Sequence, residues 1–512
     1  MNETRLAAVI NCGSSSIRMI IAQYSVQGGD PVVVESVIKY LGLGREVFTT
    51  GLIRKRSLSQ AILIFQQYKE FLQGYGIQPQ EVQVIGTAAL REARNRDSFV
   101  DRVEVRTGFR INVIDGMEEN RLTYMAVQFA LKEKQEALSR DNTIIMEVGG
   151  GGTEVILLKK GKICAVHSLS FGTIRLEESM RGSLDVVHLA EGTIRQTIRP
   201  MKEMLEAELR FSTVEHVVIP GNYAKLVAEL VGTHVNERYS VITKEALGTF
   251  ARDVGLMEAS EYTRKLGIPQ AAAEGLGTAV YAYSQFIEES PCQEIWVPRG
   301  GTSEGLLMEM GPGIDPSIQI RFINQVRASA HSLGKKYHFD SPHAKHVVFL
   351  SVTLYDQLRN EHNLGAKHRL LLEIAAILHD IGTFVKPSGH HKHSQYLVEN
   401  SEIFGLDSRD ISIISNVVRY HRKTLPNPSH VNYASLPRED RLIVLKLAAI
   451  LRVADALDRG HTQKIRTVTV TKRGEELLLE AQHLLDITAE RFSLVDKANL
   501  FEEVYGLRVS LI

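Results

Sequence analysis

The alternation of apolar and polar positions begins with a short apolar run over residues 6–10, a polar turn at Gly13-Ser14-Ser15-Ser16, and a second apolar run over 17–22. Two strands joined by a tight turn give this pattern, so a β-hairpin is expected. Further on, Ser57 stands three residues before Gln60, the spacing of a capping box, and Leu58, Ile62, Phe65, Tyr68 and Leu72 recur at helical intervals. The spacing predicts a helix over 58–73, closed near Gly74 and Gly76. A short strand at 82–85 leads into Thr87-Ala88-Ala89-Leu90-Arg91, and Val113-Ile114-Asp115-Gly116 leads into a helix over 118–131. Strands that alternate with helices indicate an α/β core.

Residues 144–157, IIMEVGGGGTEVIL, repeat the plan of residues 9–22, VINCGSSSIRMIIA, at a constant offset of 136, so that Glu147 answers Asn11 and Gly149 answers Gly13. An internal echo of this kind predicts two related α/β lobes, over 1–128 and 129–310, each opening with a hairpin. IWVPRGGTSEGLL is the last strand-to-helix passage of the second lobe. Gly311-Pro312-Gly313-Ile314-Asp315-Pro316 then reads as a linker. Beyond it 12 of the 18 histidines fall from His343 onward, and 344–360, 368–381, 394–400, 408–421 and 439–457 read as helices of an α-helical domain over 317–460. From Lys464 the pattern alternates, predicting a small β-β-α-β tail over 461–512 with its helix at about 488–503.

Composition narrows the function. Sixty basic and sixty acidic residues cancel, so nothing draws the whole chain to a polyanion, and phosphate binding would have to be local. No charge block is long enough for a nucleic-acid arm, no apolar run approaches a membrane span, and the amino end is too short in apolar residues for a signal peptide. Cys12, Cys164 and Cys292 lie far apart and form neither a disulfide ladder nor a CxxC site. A cytoplasmic protein without nucleic-acid or membrane partners is expected.

A chain of phosphates can be held where glycine and serine let backbone N–H groups converge on an anion. Gly13-Ser14-Ser15-Ser16 and Gly149-Gly150-Gly151-Gly152-Thr153 both offer this, each with a polar residue two positions before the first glycine. One such turn alone is a plain hairpin. Two at matching positions in duplicated lobes could clasp a ligand from both sides.

In this order and spacing, INCGSSSIRM, GTAALREARN, DGMEENR, MEVGGGGTE and SFGTIRL resemble the exopolyphosphatase and guanosine pentaphosphate phosphohydrolase family. The resemblance implies two ribonuclease H-like lobes of the sugar kinase, heat-shock ATPase and actin superfamily, and hydrolysis of a terminal phosphoanhydride of polyphosphate or guanosine pentaphosphate. It implies Glu119 as the catalytic base, with Arg121 after it, Glu154 as the residue that places metal or water, and Arg91 as a phosphate ligand. Mg2+ or Mn2+ as cofactor and a homodimer are implied too. The chemistry asks for such groups independently: a carboxylate to orient water, a cation or arginine to offset phosphoryl charge, and backbone donors. By themselves, Glu118 and Glu119 read as a solvated first helical turn. The chain also departs from the family. Asn11 and Glu147 stand where the family has metal-binding aspartates, Val218-Ile219-Pro220-Gly221-Asn222 keeps one glycine of a G-x-x-G-T turn, and Thr302-Ser303-Glu304-Gly305 loses an arginine.

The segments HAKHV, LHDIG, HHKHS, YHRK and RVADALD resemble the HD metal-dependent phosphohydrolase pattern. That resemblance implies His343, His379, Asp380 and Asp455 as ligands of a second divalent metal, with His393 and His421 where two-metal members carry further ligands. Three functions are therefore open: phosphoanhydride hydrolysis in the first cleft, nucleotide phosphohydrolysis in the HD-type domain, or sensing of a phosphorylated ligand without hydrolysis.

Overall fold

Ala8, Val9, Ile10 and Cys12 of β1 (Thr4–Cys12) are all fully buried, as a near-continuous apolar run must be when its sheet is covered on both faces. The computed structural model describes residues 4–25, 29–180, 186–254, 257, 259–311, 316–422, 424–483 and 486–512. The chain divides into two compact units, Met1–Phe322 and Ile323–Ile512.

In the first unit, β1 pairs antiparallel with β2 (Ser16–Ser25), and β2 with β3 (Val32–Tyr40). β4 (Gln83–Gly86) and β5 (Ile111–Val113) add in parallel on the other side of β1, giving the order β3-β2-β1-β4-β5. The second sheet comprises β6 (Thr143–Val148), β7 (Thr153–Lys159), β8 (Lys162–Leu169), β9 (His216–Val218), β10 (Thr233–His234), β11 (Tyr239–Thr243) and β12 (Glu294–Pro298). Its order, β10-β11-β12-β9-β6-β7-β8, repeats the first plan with β10 and β11 added at one edge. The register repeats as well: Cys12 faces Ile17 across the first turn, and Val148 faces Thr153 across the second. The two α/β lobes expected from the 136-residue echo are present.

The helix expected over 58–73 spans Lys55–Gln73 and buries Ala61, Phe65, Tyr68 and Leu72 against the first sheet, where the Tyr68 hydroxyl donates to the Ile17 carbonyl at 2.7 Å. The expected capping box does not form. The helix starts three residues earlier at Lys55, so Ser57 lies inside its first turn, where its hydroxyl donates to Glu46 at 2.8 Å.

The Pro/Gly stretch expected as a linker lies outside the described residues at 312–315, and the helix Pro316–Lys336 follows it. In the second unit the five expected helices occur as Ser341–Gln357, Ala366–Leu378, His390–Glu399, Ser408–Arg419 and Arg438–Ala456. The tail is a hairpin of β13 (Ile465–Arg473) and β14 (Glu476–His483), with β15 (Arg508–Leu511) parallel to β14. Its expected single helix is two, Thr488–Lys497 and Asn499–Tyr505. The fully buried Arg452 accounts for the break: its Nε takes the Lys497 carbonyl at 2.8 Å and its Nη2 the Asn499 side-chain oxygen at 2.6 Å.

Candidate active site

The turns of the two duplicated hairpins face one cleft of about 700 Å³. Each is closed by the same bond, Gly13 N–H to the Ser16 carbonyl at 2.9 Å and Gly149 N–H to the Gly152 carbonyl at 2.8 Å. Gly13 to Ser16 and Gly149 to Gly152 line the cleft together with Asn11, Arg91, Glu119, Glu147 and Glu154. Thr153 does not. It is fully buried, and its hydroxyl donates to the Phe171 carbonyl at 2.7 Å.

The helix Gly116–Ala130 begins where Asp115 caps the Glu118 N–H at 2.9 Å, placing both glutamates in its first turn. Their roles then diverge. Glu118 is held by both arms of Arg121, each at 2.6 Å, and Arg121 reaches on to Glu309, so neither Glu118 nor Arg121 lines the cleft. Glu119 points inward and meets Arg91 Nη1 at 3.3 Å, while the same nitrogen donates to the Ile114 carbonyl at 3.0 Å. Burial pushes the Glu119 carboxyl up, against the pull of Arg91. Glu154, only 8% exposed, accepts from Asn120 Nδ2 at 2.6 Å and from the Ser168 hydroxyl at 2.7 Å, which fixes both oxygens.

Glu147 is pushed up to about 7 by burial and by the carboxylates of Glu119 and Glu304, with Lys225 opposing. Gly221 lies against it: at φ +99° with a built Cβ 2.7 Å from Glu147 Oε1, only glycine fits, which explains why VIPGN keeps this glycine alone. Glu304 accepts the Gly301 N–H at 2.7 Å and pairs with Arg18 at 2.9 Å. Burial pushes its carboxyl up, but Lys225, Arg18 and the Gly301 N–H outweigh that and hold it below the usual range. Lys225 is itself pushed down by burial, although Glu304 and Glu147 favour its charge.

Sequence reasoning missed Arg18, Lys225 and the cleft-facing role of Glu304. Arg18 had a signal, as the one charged residue in the apolar strand SIRMIIAQYS; Lys225 on an ordinary amphipathic helix had none. The side-chain oxygen of Asn11 is buried and accepts no hydrogen bond among the described residues. An orphaned oxygen lining the same cleft as the carboxylates of Glu147 and Glu154 is a donor set that suits a hard divalent cation, so the residues present fit one despite the loss of the family's aspartates.

One side chain ties the hairpin of the second lobe to the first. Arg175 donates from Nε to the Gly151 carbonyl at 3.1 Å and from Nη2 to both Glu92 oxygens at 2.6 and 2.7 Å, with its guanidinium 4.6 Å above the Phe48 ring. A Cβ on Gly151 would meet Phe48 at 2.4 Å and Ala88 at 3.0 Å, so backbone sits directly on the facing lobe.

In the second unit the structure gathers the four residues expected as metal ligands. His343 Nε2 lies 3.2 Å from His379 Nε2 and 3.6 Å from Asp455, and His379 Nε2 lies 3.7 Å from Asp380. Burial pushes the His343 imidazole down, but Asp455 and Asp458 outweigh it and raise it to about 9, whereas burial drives His379 down to about 4. His421 faces Asp380 at 3.4 Å. Its companion is His390 at 2.9 Å, where sequence reasoning named His393. The helix starts at His390, and its first turn aims that ring, not the one three residues on, at Asp380.

A family model described as the Ppx/GppA phosphatase family matches residues 21–313, and one for domain III of Ppx/GppA phosphatases matches 326–495. Curated guanosine-5'-triphosphate,3'-diphosphate pyrophosphatases of Pseudoalteromonas atlantica and Photobacterium profundum are 22% and 24% identical to this chain, each match covering 88% of it and 85% of the relative. The crystal structure of an exopolyphosphatase from Cytophaga hutchinsonii shares the fold, with a TM-score of 0.52 at 18% identity over 60% of this chain and 97% of that one. With the first family model spanning more than half of its length, two duplicated lobes and a shared cleft at the matched segments, the chain belongs to the Ppx/GppA phosphatase family.

Proposed function

We propose that the cleft hydrolyses phosphoanhydrides, releasing terminal orthophosphate from inorganic polyphosphate or guanosine pentaphosphate. The observation that carries this is the separation of the two neighbouring glutamates: Glu118 is spent on Arg121, and Glu119 faces the two backbone turns beside Arg91. In this reading the hairpin turns receive the phosphates and Arg91 binds their oxygens. Glu119, whose carboxyl burial makes more basic, accepts a proton from the attacking water. Asn11, Glu147 and Glu154 would hold Mg2+ or Mn2+, which supplies positive charge against the phosphoryl group.

Two further elements belong to the proposal. His343, His379, Asp380 and Asp455 form a separate divalent metal position in the second unit, supported by their convergence. The protein acts as a cytoplasmic homodimer without nucleic-acid or membrane partners, in keeping with its balanced charge and with the lack, among the described residues, of a helix long and apolar enough to cross a membrane.

The deciding experiment compares orthophosphate release from polyphosphate and from guanosine pentaphosphate by the parent chain and by Glu119→Gln, with Mg2+ and with Mn2+. A loss of about 10²-fold to 10⁴-fold with ligand binding retained is expected. Full activity in Glu119→Gln would remove the base from this site.

A further inference from the structure

Among the described residues four cationic side chains line the cleft of the first unit, those of Arg18, Arg91, Lys225 and Arg299. Three of them are engaged. Arg18 holds Glu304 at 2.9 Å and donates to the Ser36 hydroxyl at 3.2 Å, Arg91 meets Glu119 and the Ile114 carbonyl, and Arg299 lies 3.0 Å from His234 Nδ1. The Lys225 ammonium makes no hydrogen bond or ion pair among the described residues, although its residue is half-buried. It is a charge partly stripped of water with no bonded partner in exchange, which is why burial pushes it down.

The placement of this side chain follows from the turn before it. Gly221, at φ +99° against Glu147, starts the helix Asn222–Val231, and the Lys225 N–H closes the first turn on the Gly221 carbonyl at 3.1 Å. Asn222, Lys225 and Glu229 then fall on one face at helical spacing, and all three line the cleft. The charges that act on Lys225 most are Glu304, Arg18, Glu147 and Glu229. None of the three carboxylates completes its bonding: Glu304 is spent on Arg18 and the Gly301 N–H, Glu147 is pushed up to about 7, and Glu229 is exposed to solvent. Arg91 and Glu119, which flank the reacting phosphate in the proposed function, are not among the four, so Lys225 serves a different stretch of the cleft.

We infer that Lys225 binds the non-bridging oxygens of an internal phosphate of the ligand, beyond the one that is cleaved. The assignment rests on the proposed hydrolysis of phosphoanhydrides and adds the position that grips the remainder of the chain. An ammonium with three donors on a flexible stem suits an anion whose oxygens recur along its length, because it does not demand one fixed orientation. Arg18, fixed by Glu304 and Ser36, is the rigid cation beside it.

The test uses the full chain carrying Glu119→Gln, so that tripolyphosphate outlasts the titration, with Mg2+ present. By isothermal titration calorimetry, adding Lys225→Met should raise the dissociation constant for tripolyphosphate about tenfold or more and that for orthophosphate no more than about twofold, and Lys225→Arg should restore most of the loss. Equal tripolyphosphate constants with and without Lys225→Met overturn the inference and leave the proposed function standing. Equal losses for both ligands put Lys225 at the cleaved phosphate and overturn it as well. A Glu119→Gln chain that binds neither ligand ends both. Acetic anhydride labelling read by mass spectrometry needs no change at Lys225: tripolyphosphate should protect its amine and orthophosphate should not. Equal labelling with and without tripolyphosphate would refute the position even if Lys225→Met does not fold.

Discussion

Glu147→Gln swaps a buried carboxyl for an amide of the same shape. In the folded protein burial, Glu119 and Glu304 together raise that carboxyl from the ordinary 4.5 to about 7. A raised carboxyl holds its proton more tightly folded than unfolded. The parent therefore keeps full stability below pH 4.5, loses it as the pH rises towards 7, and is level above that. The whole span corresponds to about 3 kcal/mol. Without divalent cations, Glu147→Gln should nearly match the parent at about pH 4.5 and exceed it by about 3 kcal/mol at about pH 8.5. Urea unfolding read by tryptophan fluorescence suits the question, because the sole tryptophan, Trp296, is 4% exposed on β12 and reports on the first unit alone. Added Mg2+ should stabilise the parent at high pH more than the variant, since a cation favours the ionised carboxylate. A stability difference that stays constant from acid to alkaline pH would refute the reasoning and show Glu147 to be solvated like a surface carboxylate.

Other perturbations bear on different contacts. Arg91→Ala should raise the dissociation constant for polyphosphate about tenfold or more by isothermal titration calorimetry, because a charge-assisted donor is lost. Gly221→Ala should lower stability by about 1–3 kcal/mol in urea unfolding, since it forces a side chain into left-handed backbone against Glu147. Asn11→Asp with Glu147→Asp should raise Mg2+-dependent turnover if the cleft takes a hard cation; a less active double variant would show that the present pair is already adapted. Lys497→Met strands Asp455 in the interior and should cost about 3 kcal/mol in the metal-free protein by calorimetry, with Mn2+ restoring part of it.

The hairpins were readable because a four-residue turn between two apolar strands leaves a local mark, and duplication wrote that mark twice. Four of the five expected helices of the second unit were readable for the same reason, with apolar periodicity over a dozen residues or more. What escaped was set by rotation and distance. HHKH offers three histidines within four positions, and only the point at which the helix starts decides that His390 faces Asp380. Ser57 sits in a capping-box pattern, yet the chain enters the helix sooner and the hydroxyl finds Glu46. One helix ends at Lys497 and the next starts at Asn499 because Arg452, 47 residues before Asn499, claims both the Lys497 carbonyl and the Asn499 side chain. Lys225 joins the cleft through the folding of β6 beside β9, a contact that its own helix does not announce.

The contact of Gly151 with Phe48 and Ala88 makes the cleft a caliper whose jaws already touch at one point. The facing atoms there are a backbone without a side chain and the edge of an aromatic ring, and Arg175 pins the first to Glu92. Any side chain placed at Gly151 can only widen the gap. Change in what such a cleft grips is therefore easy along its length, where side chains such as Arg18, Lys225 and Glu304 line the wall, and difficult across its width, which suits a slender ligand that varies in length and in what it carries at its far end.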